Sequence, residues 1–559
     1  MFRQSCLTIR SKFIQWMGRL GGHFDSPEWW SLPISSKSPY LGQLFLSLAS
    51  FEMIRTYLST HAVRELFLVV EPPALAAVLE SSFRSEGIPV RRHLGRPAGS
   101  LRWAWKDFKR YVAPRCYFLL DELRKRWRLR RCPNAALDHG PDEPVTLLRT
   151  WFFGSSYMNG LFKDAYFNHL AEWLETKGRR VLTVFSLFDA ADVDSLAALL
   201  MQTKSRRSCV TLEQLVGVWD VLKIFVKTLF PPSIQSSDFD FRWNGVDIRP
   251  LVEAEIRHVR FDPGFVFSLF HRRMVERLRQ RGVRLDAVYV PFENQSWEKS
   301  FFQELKRLYP DVWIGGYQHA AVFDLLLTYE MSAAEMELSP KPDAILASGD
   351  YFADFFRKRG YSDVRVVYPV KYASLEKKWR QVSTEAQSNP SYDFLICTPA
   401  GFFDTLDMVH RLTRLFAGQS CRVAVKTHQL VDWEAVKSTL STISVTVPPE
   451  WESVTGAVGD LIATSRTICW VSSSVYMDAL LLGKPALHII PSHSFDIEWI
   501  DLPEGCIHVH PEDTYEALME KLQSVQSTVR SAAVSRFVRD RLAFHERLDR
   551  FLPVEPVAS

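Results

Sequence analysis

Two histidines and a serine run carry the clearest chemical potential in this chain. His319 stands in Tyr317-Gln318-His319-Ala320, directly after the apolar run VWIGG. His428 stands in Lys426-Thr427-His428-Gln429, directly after CRVAV. An imidazole has an ordinary pKa near 6.5, so it can exchange a proton at neutral pH. Ser472, Ser473 and Ser474 follow TICWV and open an amphipathic stretch that ends at Gly483-Lys484-Pro485. Hydroxyls and free backbone N–H groups at such a start can hold an anion, and Lys426 and His428 can add charge and donors to the same phosphate. A fourth cluster, Glu293-Asn294-Gln295-Ser296-Trp297-Glu298, follows DAVYVPF. A carboxylate or imidazole there can act as general base toward a hydroxyl, so Glu293 and His319 are both candidates. Gln318, Asn294 and Glu298 are the neighbours expected to face the acceptor. Each group also has an ordinary structural explanation. The serines, Glu293 and Glu298 can cap helices, and either histidine can be a satisfied interior residue or one that only positions substrate.

The elements that must position these residues alternate short apolar strands with amphipathic helices, which argues for parallel sheets in α/β layers. An early unit is ELFLVV (65–70), a helix over 74–86 and IPVRRHL (88–94). A helix over 163–177 leads into RVLTVFSLF (180–188). The series continues with strands at 286–292, 312–318, 343–349 and 364–370 and helices at 297–308 and 350–359. A polar stretch, 376–391, reads as a linker. A second series follows, with strands at 393–399, 421–427, 443–447, 467–473, 485–491 and 506–511. Its helices fall at 402–417, 431–441, 474–482 and 512–524, and one long charged helix spans about 527–551. Residues 200–280 read as a helix-rich insertion. The expected division is 1–385, 386–525 and a terminal helix 526–559 that packs back on the first part. Two doubly wound halves would face a cleft, with ligands at the carboxyl ends of the strands.

Composition sets outer limits. The chain has 559 residues, 47% hydrophobic and 24% charged, which excludes a disordered, collagen-like or coiled-coil protein. The 68 basic and 64 acidic residues nearly balance, which excludes a uniformly basic nucleic-acid binder. None of the eight cysteines forms a CxxC pair or a Cys/His cluster with zinc spacing, so buried thiols in a reducing compartment are expected. There is no GxxxxGK[ST] loop and no GxGxxG after a strand. Asp192-Val193-Asp194 and Asp238-Phe239-Asp240 follow no convincing strand, so no metal and no cofactor are expected. Arg3, Arg10, Lys12 and Arg19 interrupt the first apolar runs, and no uncharged run reaches membrane-spanning length. The expectation is a cytoplasmic protein.

These residues carry a resemblance. The second half resembles the donor domain of GT-B glycosyltransferases, and most of all bacterial enzymes that use CMP-activated sugars, the sialyltransferases and Kdo transferases. Lys426 to Gln429 is similar to their histidine motif, with Gln429 where they carry proline, and Ser472 to Ser474 is similar to their serine motif. CDP-glycerol glycerophosphotransferases share the serine pair, and Gln318-His319-Ala320 looks like their base-bearing element, with Ala320 in place of glycine. Over residues 27–500 the chain resembles bacterial surface carbohydrate biosynthesis proteins. That likeness lies in Trp29-Trp30-Ser31-Leu32, Ser36-Lys37-Ser38-Pro39, Lys163-Asp164-Ala165-Tyr166-Phe167, the 293–298 cluster, Gly316 to His319, and Pro342-Asp343 with Gly349. It implies a GT-B fold and transfer from a nucleotide-activated sugar to a glycan or glycolipid. Alternatives are transfer of a polyol phosphate, a non-catalytic scaffold in polysaccharide assembly, or a sugar-nucleotide epimerase.

Residues 102–131 hold eleven Arg or Lys against three acids, interleaved with aromatics. Arg124, Lys125, Arg126, Trp127 and Arg128 are the expected contacts to an anionic membrane surface on the inner face of the cytoplasmic membrane. A solvated basic helix is the plain alternative.

Overall fold

The computed structural model describes residues 1–553 except 71–72, 93–112, 133–142, 154–156, 159–160, 188–192, 203–207, 230–237, 260–262, 383–389 and 493–501. Two large sheets dominate it. The first contains β1 (Val145–Phe152), β2 (Arg180–Leu187), β3 (Ser208–Thr211), β4 (Leu285–Pro291), β5 (Trp313–Tyr317), β6 (Ala344–Ala347) and β7 (Val364–Val366). Their spatial order is β7-β6-β5-β4-β1-β2-β3, with every pair parallel. The second contains β8 (Tyr392–Cys397), β9 (Val423–Lys426), β10 (Glu452–Ser453), β11 (Ser465–Trp470), β12 (Ala486–Ile489) and β13 (Cys506–Val509). Its order is β10-β9-β8-β11-β12-β13, again all parallel. Both orders are doubly wound and reverse once, between β1 and β4 and between β8 and β11. Those reversals open crevices at the carboxyl ends of the strands. The fold is therefore α/β with two Rossmann-like halves, as in GT-B proteins.

Strands β1, β2, β4, β8 and β11 are buried along most of their length because helices cover both faces of each sheet. The helices used below are α1 (Phe2–His23), α2 (Leu44–Thr60), α3 (Ala113–Leu129), α4 (Val218–Leu229), α5 (Pro263–Gln280), α6 (Ser296–Leu308), α7 (Asp350–Arg357), α8 (Phe402–Leu415), α9 (Val475–Leu481), α10 (Tyr515–Gln526) and α11 (Ala532–Arg541). Helix α9 ends where Gly483 adopts a left-handed φ of 67°, and Pro485 then leads into β12. The last segment returns to the first sheet. Tyr289 Oη donates to the Phe551 carbonyl at 2.7 Å, and Ala543 N–H donates to the Ser348 carbonyl at 2.8 Å. Gly349 permits this return, since a Cβ there would lie 2.4 Å from the Arg541 backbone.

Several expectations need correction. Residues 163–169 are not helical; the helix starts at Leu170. The Asp164 carboxylate accepts the N–H groups of Tyr166 and Phe167 at 2.8 Å, which offers the backbone a turn instead. Residues 443–447 form no strand. Ser444 takes φ 61°, the chain turns, and the edge strand is β10. The supposed linker is helical at its start, Ala373–Val382, and 383–389 lie outside the described residues. The long terminal helix is three pieces, Thr528–Arg530, α11 and Leu548–Phe551, because Ser531 caps a new start with a hydrogen bond from Val534 N–H. The early pair Leu66–Leu68 and Val90–Arg92 makes its own two-stranded sheet.

Candidate functional site

Glu293 and His319 leave adjacent strands, β4 and β5, and meet. His319 Nε2 lies 3.3 Å from Glu293 Oε1; the Glu293 side chain is 42% exposed and that of His319 only 7%. The loop that presents Glu293 is rigid. Glu298, buried in the first turn of α6, accepts the N–H groups of Glu293 at 3.0 Å and Asn294 at 2.7 Å. Asn294 takes φ 57°, a conformation asparagine tolerates, and donates its side-chain amide to the Thr328 carbonyl at 2.6 Å. Gln318 is buried and accepts from the Ser348 hydroxyl at 2.8 Å. Asn294, Glu298 and Gln318 thus hold the loops that present Glu293 and His319. The segments around Ser31, Ser35 and Lys37 serve the same scaffold. Ser300 Oγ donates to Ser31 Oγ at 2.8 Å, Lys299 Nζ to the Ser35 carbonyl at 2.7 Å, and buried Lys37 pairs with Glu335.

Burial works against the Glu293 carboxylate, but the His319 hydrogen bond, the His319 charge and Lys371 outweigh it and hold its pKa below the usual carboxylate range. Tyr166 closes one side, its ring edge-on to His319 at 4.6 Å. Lys371 Nζ donates to the His319 carbonyl at 2.9 Å. Neither Tyr166 nor Lys371 was expected in the site. Lys371 follows β7, so the rule of inspecting strand ends could have found it.

On the donor side, Thr398 follows β8 and its hydroxyl accepts His428 N–H at 2.8 Å, tying two strand ends together. Leu430 N–H donates to His428 Nδ1 at 3.2 Å, so the neutral ring carries its proton on Nε2. Burial and the Lys426 charge push the His428 pKa down, which keeps the ring a neutral donor. Ser472, Ser473 and Ser474 are part-buried, and Ser473 Oγ accepts Val475 N–H at 3.3 Å, so one of the three does cap.

The two sides meet through residues that spacing did not single out. Asp478 lies one turn beyond Ser474 on α9. Burial pushes its carboxyl up to about 7, against the pull of the Lys371 charge. Lys371 in turn is pushed down by burial and drawn up by Asp478 and Glu293. Asp478 and Lys426 both act on buried Cys397, and Tyr372 neighbours Asp478 and Ser474. Lys371 thus lies within the electrostatic reach of Glu293 on one side and Asp478 on the other, and Lys426 within that of Cys397. Because the folded pKa of Asp478 is raised, its contribution to stability is present in acid and lost as pH rises through about 7. We expect Asp478→Asn to gain in melting temperature over the parent as pH rises from about 5 to 8; a constant difference would show that the carboxyl is not shifted.

The basic segment falls elsewhere, on a helix packed against α4, and part of its reading is corrected. Residues 102–112 lie outside the described residues. Lys125 and Arg126 are buried, not solvent-facing. Lys125 lies 3.0 Å from Glu122 and 2.9 Å from Asp121, and Arg126 pairs with Glu122 at 2.5 Å and donates to the Val216 carbonyl at 2.7 Å. Arg124 is exposed and Arg128 half-buried near Asp194. Trp127 is 61% exposed and belongs to an outer stripe of Tyr117, Leu120, Arg124 and Trp127 on α3. The adjoining α4 adds Trp219, 75% exposed. Among the described residues, no group of three or more His, Cys, Asp or Glu could hold a metal ion, and no helix is long and apolar enough to cross a membrane.

No family model matches the chain, and no curated protein matches it. Among solved structures it is similar to a glycosyltransferase from Rickettsia africae (12% identity, 73% of this chain and 96% of that one, TM-score 0.34). It is also similar to a UDP-GlcNAc 2-epimerase from Neisseria meningitidis bound to UDP-GlcNAc (11%, 71% and 97%, 0.37). A third is the wall teichoic acid polymerase TagF (12%, 80% and 94%, 0.36). At such identities and TM-scores these likenesses bear on neither substrate nor mechanism.

Proposed function

We propose that the chain is a glycosyltransferase that moves a sugar from a nucleotide donor, CMP-linked Kdo or a sialic-acid-like sugar, to a surface polysaccharide or lipid-linked glycan. The observation that supports this reading is the Glu293–His319 pair, 3.3 Å apart after β4 and β5, together with Lys426, His428 and the serines at the carboxyl ends of β9 and β11 of the second sheet. The acceptor hydroxyl gives its proton to the Glu293–His319 pair as its oxygen attacks the anomeric carbon. The bond from that carbon to the phosphate oxygen breaks, and the nucleotide leaves with the electron pair. Lys426, the His428 Nε2–H and the Ser472–Ser474 hydroxyls stabilise the charge that develops on the phosphate.

A thermal-shift panel with CMP, CDP, UDP, GDP and ADP tests it, since a ligand of the folded state raises the midpoint by mass action. A shift with CMP supports the CMP-sugar reading. A preference for CDP moves the function to polyol-phosphate transfer, and UDP or GDP to a hexosyltransferase. No shift at all leaves a scaffold. Turnover of a donor with no acceptor present would indicate an epimerase.

The outer faces of α3 and α4 fit an acceptor held at an anionic bilayer, since indoles suit the interface and Arg or Lys suit its charge. The full chain should sediment with phosphatidylglycerol vesicles and not with phosphatidylcholine vesicles. The double variant W127S/W219S should lose most of that binding; unchanged binding would remove this face from the proposal.

A further inference from the structure

Arg149 is the fifth of the eight residues of β1, a strand that borders the reversal between β1 and β4. It is fully buried. Its guanidinium lies 4.4 Å from the Trp151 ring centre and 4.5 Å from that of Trp297. Nε donates to His271 Nε2 at 3.0 Å, and Nη2 donates to Ser186 Oγ at 2.9 Å. His271 is neutral: its Nδ1 lies 2.8 Å from the Phe267 carbonyl, which fixes the tautomer, and burial beside Arg149 pushes its pKa far down. Both acceptors of Arg149 are therefore uncharged. Nη1 is buried and has no hydrogen-bond partner, and among the described residues no carboxylate pairs with this arginine. Glu298, Glu213 and Asp164 act on it only through the longer-range field.

A buried ion is costly to desolvate. Stacking on two indoles and hydrogen bonds to neutral groups offset only part of that cost and leave two Nη1–H donors unused. An arginine fork with free donors in a water-excluded place is suited to a planar carboxylate or a phosphate. Tyr166 links this place to the catalytic pair. Its ring touches His319, and its hydroxyl feels the charges of both Glu293 and Arg149.

We infer that Arg149 is an anion subsite on the acceptor side, and that the acceptor carries a carboxylate or phosphate group that pairs with Nη1. Entry displaces the Trp297 indole, which keeps 9% exposure and covers the guanidinium. The inference rests on the acceptor-side reading of Glu293 and His319, but its test needs no turnover.

The test uses the full chain carrying K426M/H428A, which removes the cation and the imidazole of the donor-side cluster. D-glucuronate, inorganic phosphate and D-glucose are titrated by calorimetry and thermal shift. The expected result is binding of glucuronate or phosphate, no effect of glucose, and at least a tenfold loss of affinity on adding Arg149→Met. Arg149→Lys should fall between. The ligand-free midpoint of Arg149→Met should equal or exceed that of its parent, because an uncompensated ion has been removed. Glucuronate alone would identify a carboxylate acceptor, and phosphate alone a phosphorylated one. The inference is overturned if neither anion binds, if Arg149→Met keeps the affinity, or if its ligand-free midpoint falls or it does not fold, which would make the cation structural. Failure of the nucleotide panel with success here would remove only the donor reading.

Discussion

Replacing His319 with alanine should lower kcat by about 10²–10⁴, the range of general acid–base catalysis, with little change in nucleotide affinity. The reason is its place, 3.3 Å from Glu293 after a strand of the first sheet, while the donor-side residues lie at strand ends of the second. The same replacement should move the acid limb of the pH–rate profile upward. His319 and Lys371 hold the Glu293 carboxyl below its usual range against desolvation. Without His319, desolvation acts with less opposition, the carboxyl pKa rises, and more acid solution then protonates it. Glu293→Gln should show an equally low rate and no such limb. Steady-state kinetics of both variants across pH 4–9 decide the matter. A His319→Ala enzyme with unchanged rate, or one whose acid limb stays put, would remove the pair from catalysis.

His428→Ala should cost about 10²–10³ in kcat, the effect of losing one preorganised donor to a developing anion. Here the profile should drop without changing shape. Leu430 N–H occupies Nδ1, and burial with Lys426 nearby pushes the ring pKa down, so the donor at neutral pH is the neutral Nε2–H. His428→Asn, which keeps an N–H donor on a shorter side chain, should recover part of the loss. Thermal shift with the preferred nucleotide gives the second readout. A variant that binds and turns over normally would mean that His428 serves only the turn it shares with Thr398.

Both strand series were legible because buried parallel strands must be apolar on both faces, as in DAVYVP and TICWV. Strand ends then pointed to Glu293, His319, Lys426, His428 and the serines by topology alone. Where the reading failed, a local competitor or a distant contact decided. Asp164 diverted a helix into a turn through its own carboxylate, and Ser531 broke a long helix by capping a new one. Glu298 and Asn294 look the same in sequence as Glu293, yet their carboxylate and amide turn inward to the backbone of the loop.

By itself the sequence determined two doubly wound α/β halves and the strand ends at which their chemistry lies, because apolar runs and helical periods are local properties. The tertiary structure decided which charges are compensated. It buried Lys125 and Arg126 against Glu122, brought Lys371 within the field of Asp478 and Glu293, and enclosed Arg149 between two indoles with no carboxylate partner among the described residues. A charge acquires its environment from segments far away in the chain, and no spacing rule records which segments those are.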